Sequence, residues 1–249
     1  MLKQERQSLI LAEITANNKV HSADLSSKLK VSEDTIRRDL KELAEEGFVK
    51  KVHGGAMANP VAPPKTKSEL VTYPEDRLKI IRKCLPQVRN HSVLIMEGGE
   101  SSTLLAEHLP QDLSLTVFTN SLPIAYRLFE FHNIETFILG GHLSSKNRST
   151  KGMDVIHTLS EIHADVCFME LRAIHAEIGI TDADREYAAT KKAMINAASQ
   201  LVAYCLSKDL GGVQPFKVES LQRVGTLVTE LDADHQALQT IKSKGINVF

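Results

Sequence analysis

The chain has 249 residues, of which 42% are apolar and 24% charged, values typical of a globular protein with one large domain or two smaller ones. Its formal net charge of −1 excludes a uniformly basic nucleic-acid-binding protein but leaves room for a basic patch. Residues 1–68 carry twelve Lys and Arg against nine Asp and Glu, whereas residues 69–249 carry eighteen against twenty-two. This mild asymmetry has the sign expected of a DNA-binding end joined to a neutral-to-acidic body.

Cysteine content and hydropathy predict an intracellular setting. Cys84, Cys167 and Cys205 lie far apart and form no C-x-x-C pair, so each is expected to fill a core in a reducing compartment. No apolar run reaches membrane-spanning length, and the first residues do not resemble a secretion signal. We therefore predict a cytoplasmic protein without a membrane partner.

Residues 1–57 predict three short helices followed by a hairpin. Apolar residues recur at helical spacing in the first two helices, at Leu9, Ile10, Ile14, Leu25 and Leu29. Ser22 and Ser32 are suited to cap the second and third helices, and Gly47 is suited to end the third. FVKKVHGGA, residues 48–56, predicts a strand, a tight turn and a return strand. This order of elements is that of a winged helix-turn-helix domain.

The third helix, within KVSEDTIRRDLKEL (residues 30–43), carries two adjacent arginines on its polar side. Ile36, Leu40 and Leu43 share one face of a helical wheel and predict a buried stripe. The residues opposite or flanking this stripe are Asp34, Thr35, Arg37, Arg38 and Lys41. Guanidinium, ammonium and hydroxyl groups bind phosphates and reach base edges in a major groove. The helix is therefore predicted to read DNA; the alternative is an ordinary solvated charged face.

The basic hairpin after this helix predicts a wing on the adjacent DNA backbone. The predicted DNA-binding residues are Ser32, Asp34, Thr35, Arg37, Arg38, Lys41, Lys50, Lys51 and His53. Helix-turn-helix proteins bind two-fold operators as dimers or larger assemblies. The predicted partners are therefore double-stranded operator DNA and further copies of the chain, in a dimer or a tetramer.

Residues 58–74 predict an interdomain linker. Pro60, Pro63 and Pro64 stand among small residues with almost nothing to pack, which is typical of a semi-rigid connection. The linker separates the DNA-binding domain, residues 1–57, from a larger domain, residues 75–249.

Apolar runs alternate with helical patterns in the larger domain. The runs are VLIM (93–96), LTVFTN (115–120), ETFILGG (135–141), VCFMEL (166–171), LVAYCL (201–206) and TLVTE (226–230). Strands that alternate with helices indicate a parallel sheet covered on both faces, and continuous apolar runs are typical of its buried central strands. The predicted fold class is α/β, with a winged helix-turn-helix domain followed by a larger doubly wound, mostly parallel domain.

Glycine and polar residues follow several of these strands, at the edge where open parallel sheets bind ligands. Gly98 and Gly99 would let backbone N–H groups approach an anion, and Ser101 and Ser102 would add hydroxyls at a helix start. Each such feature also has a structural explanation, as a turn former, a helix cap or a solvated lysine. The predicted ligand-binding residues are Glu97, Gly98, Gly99, Glu100, Ser101, Ser102, Thr119, Asn120, Ser121, Gly140, Gly141, Lys191 and Lys208.

Two segments resemble the N-terminal signature of DeoR-type bacterial transcriptional regulators. They are SEDTIRRDLKEL (32–43) and GFVKKVHGGA (47–56), and they match the reader helix and the wing in register. The rest of the chain is similar, more loosely, to the family's sensor domain, which shares the fold of sugar-phosphate isomerases and coenzyme A transferases. The resemblance implies a repressor of a carbohydrate-catabolism operon that is relieved when the sensor binds a phosphorylated sugar or related metabolite.

The chain departs from this family pattern at the ligand loop. The family usually has D-S-G-T-T-T where residues 97–102 read EGGESS, and D-S-S-K where residues 205–208 read CLSK. Glu100 places a carboxylate where a hydroxyl would face a phosphate, and like charge disfavours a dianion. Arg172 stands where an acidic or small residue is usual, and it offers an anion contact. These departures leave open an altered ligand, a less phosphorylated ligand, or none.

Catalysis is the rival function. The chain has no G-x-S-x-G, H-E-x-x-H, Walker or G-x-G-x-x-G motif, and its ten histidines are scattered without metal-ligand spacing. We therefore predict no catalytic residues, no metal and no cofactor. The alternatives that stay open are a sugar-phosphate-isomerase-like enzyme, and a regulator whose degenerate sensor domain only oligomerises.

Overall fold

The chain forms two compact units in the computed structural model, residues 1–72 and residues 73–249. We call the first the winged-helix unit and the second the α/β unit. The structure describes residues 3–17, 19–45, 47–59 and 74–249. Most of the predicted linker, residues 60–73, lies outside this described part.

Three helices and a three-stranded antiparallel sheet form the described part of the winged-helix unit. Its elements are α1 (Lys3–Asn17), β1 (Lys19–His21), α2 (Ser22–Leu29), α3 (Glu33–Glu45), β2 (Val49–Val52) and β3 (Gly55–Ala58). The strand order is β1-β3-β2, so the predicted hairpin forms two strands of the sheet. The sequence does not predict β1, because three residues are too few to show alternation. The predicted winged helix-turn-helix fold is confirmed.

One face of each helix builds the core of this unit. Its most deeply buried side chains include Ile10, Ile14, Leu25, Ile36, Leu40 and Leu43. The predicted buried stripe on α3 is therefore confirmed. The helix predicted from Leu9, Ile10 and Ile14 is present, but Leu9 is 46% exposed while Leu11 is buried. Successive side chains on a helix are rotated by about 100°. Leu9 therefore lies farther than Leu11 from the face that Ile10 and Ile14 share.

The second helix begins differently from the prediction. Ser22 is the first residue of α2 and is buried, while His21 stands at the cap position without a side-chain hydrogen bond. The Ser22 N–H donates to the carbonyl of Gly54 in the hairpin turn, at 2.8 Å. The predicted Ser22 cap is therefore wrong, because the helix starts one residue earlier and Ser22 lies within its first turn.

The third helix begins and ends as its sequence predicts. The Thr35 N–H donates to the Ser32 hydroxyl at 3.2 Å, which satisfies one of the free amides at the helix start. Gly47 follows the helix with a φ of +81°, a left-handed conformation that glycine adopts without strain.

The α/β unit alternates strands and helices along most of its length. Its helices are α4 (Glu75–Cys84), α5 (Glu100–Glu107), α6 (Leu122–Leu128), α7 (Met153–Ser160), α8 (Arg185–Asn196) and α9 (Gln239–Lys242). Its strands are β4 (Val93–Met96), β5 (Leu115–Thr119), β6 (Ile134–Ile138), β7 (His142–Ser144), β8 (Ser149–Lys151), β9 (Ala164–Glu170), β10 (Ile174–His175), β11 (Gly179–Asp182), β12 (Ala198–Tyr204), β13 (Phe216–Glu219), β14 (Thr226–Val228) and β15 (Asn247–Val248). Short 3₁₀ turns include one at Ser207–Asp209.

Seven parallel strands form the main sheet, in the order β15-β14-β12-β9-β4-β5-β6. The chain runs outward from β4 through β5 to β6, then returns to β9 beside β4 and runs to the opposite edge. The strand order therefore reverses between β4 and β9, where doubly wound sheets bind ligands. All six predicted apolar runs are strands of this sheet, and the doubly wound parallel fold is confirmed.

Buried side chains cover both faces of the sheet. Ile95 and Cys167 face one core, whereas Leu94, Met96 and Phe168 face the other. Successive residues of each central strand are therefore buried on opposite sides, which explains the continuous apolar runs. The three cysteines are buried and form no disulfide.

Two small antiparallel groups of strands accompany the main sheet. They are the hairpin β7-β8 and the sheet β10-β11-β13, and the sequence does not predict either, because their short strands form no continuous apolar run. Within the described ranges, no helix combines the length and the apolar character needed to cross a membrane.

Candidate nucleic-acid interface and ligand site

The polar face of α3 is open to solvent. Arg38 and Asp34 have side-chain exposures of 79% and 71%, and Arg37 and Lys41 are also exposed. These residues lie on the side of α3 away from the buried stripe, as the helical wheel predicts. The helix therefore presents two guanidinium groups and one ammonium group to an incoming partner.

Each of these basic side chains pairs with an acid one helical turn away. The pairs are Arg37–Glu33 at 2.9 Å, Arg38–Asp34 at 2.9 Å and Lys41–Glu45 at 3.7 Å. Exposed pairs of this kind contribute only about 0.3–0.5 kcal/mol. The cations can therefore exchange these partners for DNA phosphates or base edges at little cost.

Asp39, next to the arginine pair, points inward instead. Its carboxylate accepts two hydrogen bonds from Arg6 of α1, from Nε at 2.5 Å and from Nη2 at 3.2 Å. The Asp39 side chain is almost fully buried, and its hydrogen bond raises the pKa of Arg6. This ion pair fixes α1 against the reader helix. The burial of Asp39 was not predictable from the sequence, because Asp39 stands as one more charge in a charged run.

The remaining predicted DNA-binding residues lie at the start of α3 and on the hairpin. Lys50, Lys51 and His53 are exposed on β2 and the turn after it. The Ser32 hydroxyl lies 2.8 Å from that of Thr35 and also caps α3. The predicted reader helix and the basic hairpin therefore lie within one compact unit.

Hydrogen bonds connect the predicted ligand residues that follow β4 with those that follow β5. The Gly98 N–H donates to Asn120 Oδ1 at 3.2 Å, and the Thr119 hydroxyl donates to the Met96 carbonyl at 2.7 Å. Asn120 also donates to the Thr150 carbonyl, and the Ser121 hydroxyl caps α6. These polar side chains are buried and hydrogen-bonded within the protein, so they hold the shape of the sheet edge.

Glu170 and Arg77 join this edge, although sequence reasoning missed both. Glu170 ends β9, and its carboxylate accepts from the Ser101 N–H at 3.0 Å and lies 2.5 Å from Arg77 Nη1. The other end of the Arg77 guanidinium lies 2.7 Å from Glu100, whose side chain is 66% exposed. Arg77 lies in the first turn of α4 and Glu170 at the end of β9, and no local pattern in the sequence links the two.

Glu97 and Lys191 lie deep in the same region. The Lys191 ammonium lies 3.0 Å from Asp182 and 4.0 Å from Glu97 Oε1, and it donates to the Glu170 carbonyl at 3.3 Å. Glu97 Oε2 is buried and has no hydrogen-bond partner among the described residues. Burial raises the pKa of Glu97 to about 7, and the Lys191 charge opposes this rise. Burial alone would lower the pKa of Lys191, but the two carboxylates outweigh that effect and raise it.

Two further hydrogen bonds between buried hydroxyl groups lie near residues 97–102. Ser102 and Tyr204 share a hydrogen bond of 2.5 Å, and Ser149 and Tyr187 share another. Burial raises the pKa of both tyrosines, so both phenols are neutral hydrogen-bonding groups at neutral pH. Ser102 is therefore turned into the core rather than toward the mouth of the site.

The other predicted ligand residues lie at the rim. Arg172 follows β9 and Lys208 follows β12, so both lie at the carboxyl edge of the main sheet, and both are exposed. Gly140 and Gly141 follow β6 and are exposed. The described residues contain no cluster of three side chains that could hold a metal ion.

Replacing Glu97 with glutamine is expected to remove a pH dependence from the stability of the α/β unit. Its pKa rises from 4.5 to about 7 on folding, so the native state binds this proton more tightly than the unfolded chain. The stabilisation is complete below about pH 4.5 and is lost as the pH rises through about 7. A pKa difference of one corresponds to about 1.4 kcal/mol. Between about pH 4.5 and pH 8, the unfolding free energy of wild type should therefore fall by roughly 3 kcal/mol relative to that of Glu97→Gln.

Urea unfolding of the full chain at pH 4.5 and pH 8, followed by far-UV circular dichroism, measures this difference. Glu100→Gln is the matched control, because Glu100 is exposed and should leave the pH dependence of wild type unchanged. Parallel pH profiles for wild type and Glu97→Gln would contradict the prediction.

Both units match known families. The family described as "DeoR-like helix-turn-helix domain" matches residues 6–60, and the one described as "DeoR C terminal sensor domain" matches residues 73–231. The transcriptional repressor GlcR of Bacillus subtilis is 31% identical over 233 residues, which cover 92% of this chain and 89% of GlcR. The transcriptional regulator GolR of Listeria innocua is 28% identical over 250 residues, which cover 100% of this chain and 98% of GolR.

Solved structures resemble the fold more distantly. Ribose 5-phosphate isomerase A from Methanocaldococcus jannaschii has a TM-score of 0.40 and 13% sequence identity. The match covers 54% of this chain and 53% of the isomerase, about half of each. A likeness at this level supports no statement about function.

Proposed function

Because this chain belongs to the DeoR family of transcriptional regulators, we propose that it represses a carbohydrate-catabolism operon by binding operator DNA through α3. The observation that carries the proposal is the exposed cationic face of α3, opposite a buried stripe and beside a basic hairpin. The relatives GlcR and GolR are named as transcriptional regulators, so the proposal assigns no catalytic role.

The docking mode follows from the shape of the winged-helix unit. A helix of this diameter fits the major groove, where Arg37 and Arg38 can reach phosphates or guanine edges. Lys50 and Lys51 on β2 would contact the adjacent backbone, which positions the helix without reading sequence. Specificity would then reside mainly in α3.

Selection of random duplex DNA by the full chain tests this function. The recovered sequences should share two inverted half-sites, because a two-fold assembly presents two copies of α3. Binding should also fall steeply with salt concentration, since phosphate contacts release counterions. Recovery of no shared motif at low salt would overturn the proposal.

A second copy of the chain is the proposed partner of the β6 edge. β6 is the last strand of the main sheet and pairs only with β5 in the described ranges. Phe129 is 89% exposed beside this strand, and Phe137 and Ile138 are also exposed. A cavity of about 290 Å³ lies here, lined by Ala125, Leu128, Phe129, Phe131, Ile134, Thr136 and Ile138. An edge strand with unpaired backbone groups can pair with the same strand of a second copy about a two-fold axis. Two-fold operators require a two-fold dimer of this kind.

Replacing Phe129 with glutamate is therefore expected to shift the protein from dimer or tetramer toward monomer. The charge would have to be buried without a partner in the proposed interface, whereas in the monomer it stays in water. Light scattering over a concentration series measures the assembly, and operator affinity should fall in parallel. Val213→Glu is the control, since Val213 is also exposed and lies in another part of the unit. An unchanged assembly in Phe129→Glu would remove this edge from the interface.

Relief of repression would start at the carboxyl edge of β4, β5 and β9. An effector can weaken operator binding only if it binds better to a conformation that binds DNA poorly. Glu97, Gly98 and Asn120 lie where the strand order reverses, and Glu97 offers a buried oxygen without a partner in the described part of the chain. We assign the effector to this site.

A further inference from the structure

Three donor groups converge on the carboxylate of Glu170. The Ser101 N–H, in the first turn of α5, donates to Oε2 at 3.0 Å, and the Ser101 hydroxyl donates to Oε1 at 3.0 Å. Arg77 Nη1 lies 2.5 Å from the same Oε1. A helix-start amide, a hydroxyl and a guanidinium are groups with which proteins bind phosphate. Here they hold a carboxylate of the chain itself.

Gly99 makes room for this carboxylate. A Cβ atom at residue 99 would lie 2.2 Å from Glu170 Oε2 and 3.1 Å from Glu170 Cβ. Any larger residue would push Glu170 away from the start of α5. The glycine of the loop therefore admits the Glu170 side chain to the space in which an anionic ligand would lie.

The charges nearest to the Glu170 carboxylate disfavour a further anion at this position, while the cations Arg172 and Lys208 are exposed at the rim of the same sheet edge. Arg77 is shared between Glu170 and Glu100, so its charge is already balanced. Lys191 is buried and lies 3.0 Å from Asp182. An incoming phosphate dianion would have to displace Glu170 from its donors and would then meet the charge of Glu100.

We propose that the Glu170 carboxylate occupies the position at the donors of Ser101 and Arg77 where the phosphate of an effector would bind. The wild-type site therefore binds an effector that has no phosphate group at this position. Glu170 is then a specificity-determining residue. The inference rests on the proposed function only in assigning the effector to this edge of the sheet. Glu97, whose Oε2 is buried without a partner among the described residues, still offers a hydrogen bond to a ligand hydroxyl.

Titration with inorganic phosphate tests the proposal on the full chain. Wild type is expected to bind phosphate weakly or not at all by calorimetry. Glu170→Ala vacates the donors of Ser101 and Arg77 and should bind phosphate at least about tenfold more tightly, a gain of about 1.4 kcal/mol. Equal phosphate affinity in wild type and Glu170→Ala would overturn the proposal.

Glu100→Ala is the matched control. It removes the same charge from the same guanidinium, but the Glu100 side chain is exposed and is not bound by the Ser101 amide. It should change phosphate affinity much less than Glu170→Ala does. An equal gain in the two variants would show that net charge, rather than occupation of the donors, excludes phosphate, and would overturn the proposal.

Two further measurements keep the result interpretable. If Glu170→Ala does not fold, Glu170→Ser also shortens the side chain and frees the donors, and it should still bind phosphate more tightly than wild type; no gain in that variant would sink the proposal. Operator binding is measured for every variant by fluorescence anisotropy with the selected DNA. If wild type binds no selected DNA, the proposed function fails, while the phosphate titration still decides the role of Glu170.

Discussion

Replacing Arg38 with alanine is expected to weaken operator binding by about 1–3 kcal/mol and to relax base preference at one position in each half-site. Arg38 lies on the exposed face of α3, with a side-chain exposure of 79%, and its only ion pair in the described ranges is an exposed one with Asp34. A bidentate contact between a guanidinium and a guanine edge contributes discrimination of this size. Fluorescence anisotropy with the selected operator and with single-base variants, at fixed salt, measures both effects.

Two other variants show whether the effect is one of base reading. Lys41→Ala should weaken binding about equally for all sequences and reduce the salt dependence by about one phosphate contact. Arg82→Ala removes an exposed arginine that pairs with Glu75 in the α/β unit, and it should leave DNA binding unchanged. Wild-type affinity and specificity in Arg38→Ala would refute the assigned role.

Replacing Asp39 with alanine is expected to destabilise the winged-helix unit by about 3–5 kcal/mol. The carboxylate of Asp39 is buried and accepts two hydrogen bonds from Arg6. Its removal leaves the Arg6 guanidinium partly buried without its counter-charge. Hydrogen exchange of the full chain, followed by mass spectrometry of peptides from α1 and α3, isolates this unit from the α/β unit.

Asp34→Ala is the control for this effect, because it removes an aspartate from the same helix. Asp34 is exposed, so its loss should cost less than about 1 kcal/mol. The double variant Arg6→Leu with Asp39→Leu should recover much of the lost stability, since an apolar pair can replace a buried ion pair. Protection of α1 that is unchanged in Asp39→Ala would show that the ion pair contributes little.

Periodic and contiguous features of the chain were predictable from the amino-acid order. Ile36, Leu40 and Leu43 predict the buried side of α3, and therefore its exposed side, because a helix turns by a constant angle per residue. The six apolar runs predict six of the seven strands of the main sheet, because residues buried on both faces leave no polar alternation. The departures from this success are local. Ser22 does not cap α2, and β1 and β15 are too short to show a pattern.

The candidate ligand site was predictable only in outline. Strand ends identify Glu97, Gly98 and Asn120 as neighbours, because parallel strands bring their carboxyl ends to one edge. The partners of these residues were not predictable. Lys191 is buried beside Asp182, and the Ser102 hydroxyl turns inward to Tyr204, since the packing of α8 and β12 decides where those side chains point.

The amino-acid order by itself determined the family, through the resemblance of residues 32–43 and 47–56 to its signature, and the face of α3 that meets solvent, through the spacing of Ile36, Leu40 and Leu43. Both depend on residues within one short segment. Only the tertiary structure decided that Asp39 accepts a hydrogen bond from Arg6. It also decided that the Glu170 carboxylate accepts hydrogen bonds from the Ser101 amide and from Arg77. These contacts join residues that are far apart in the chain, and the free energy of a charged group depends on which groups packing brings within a few ångströms of it.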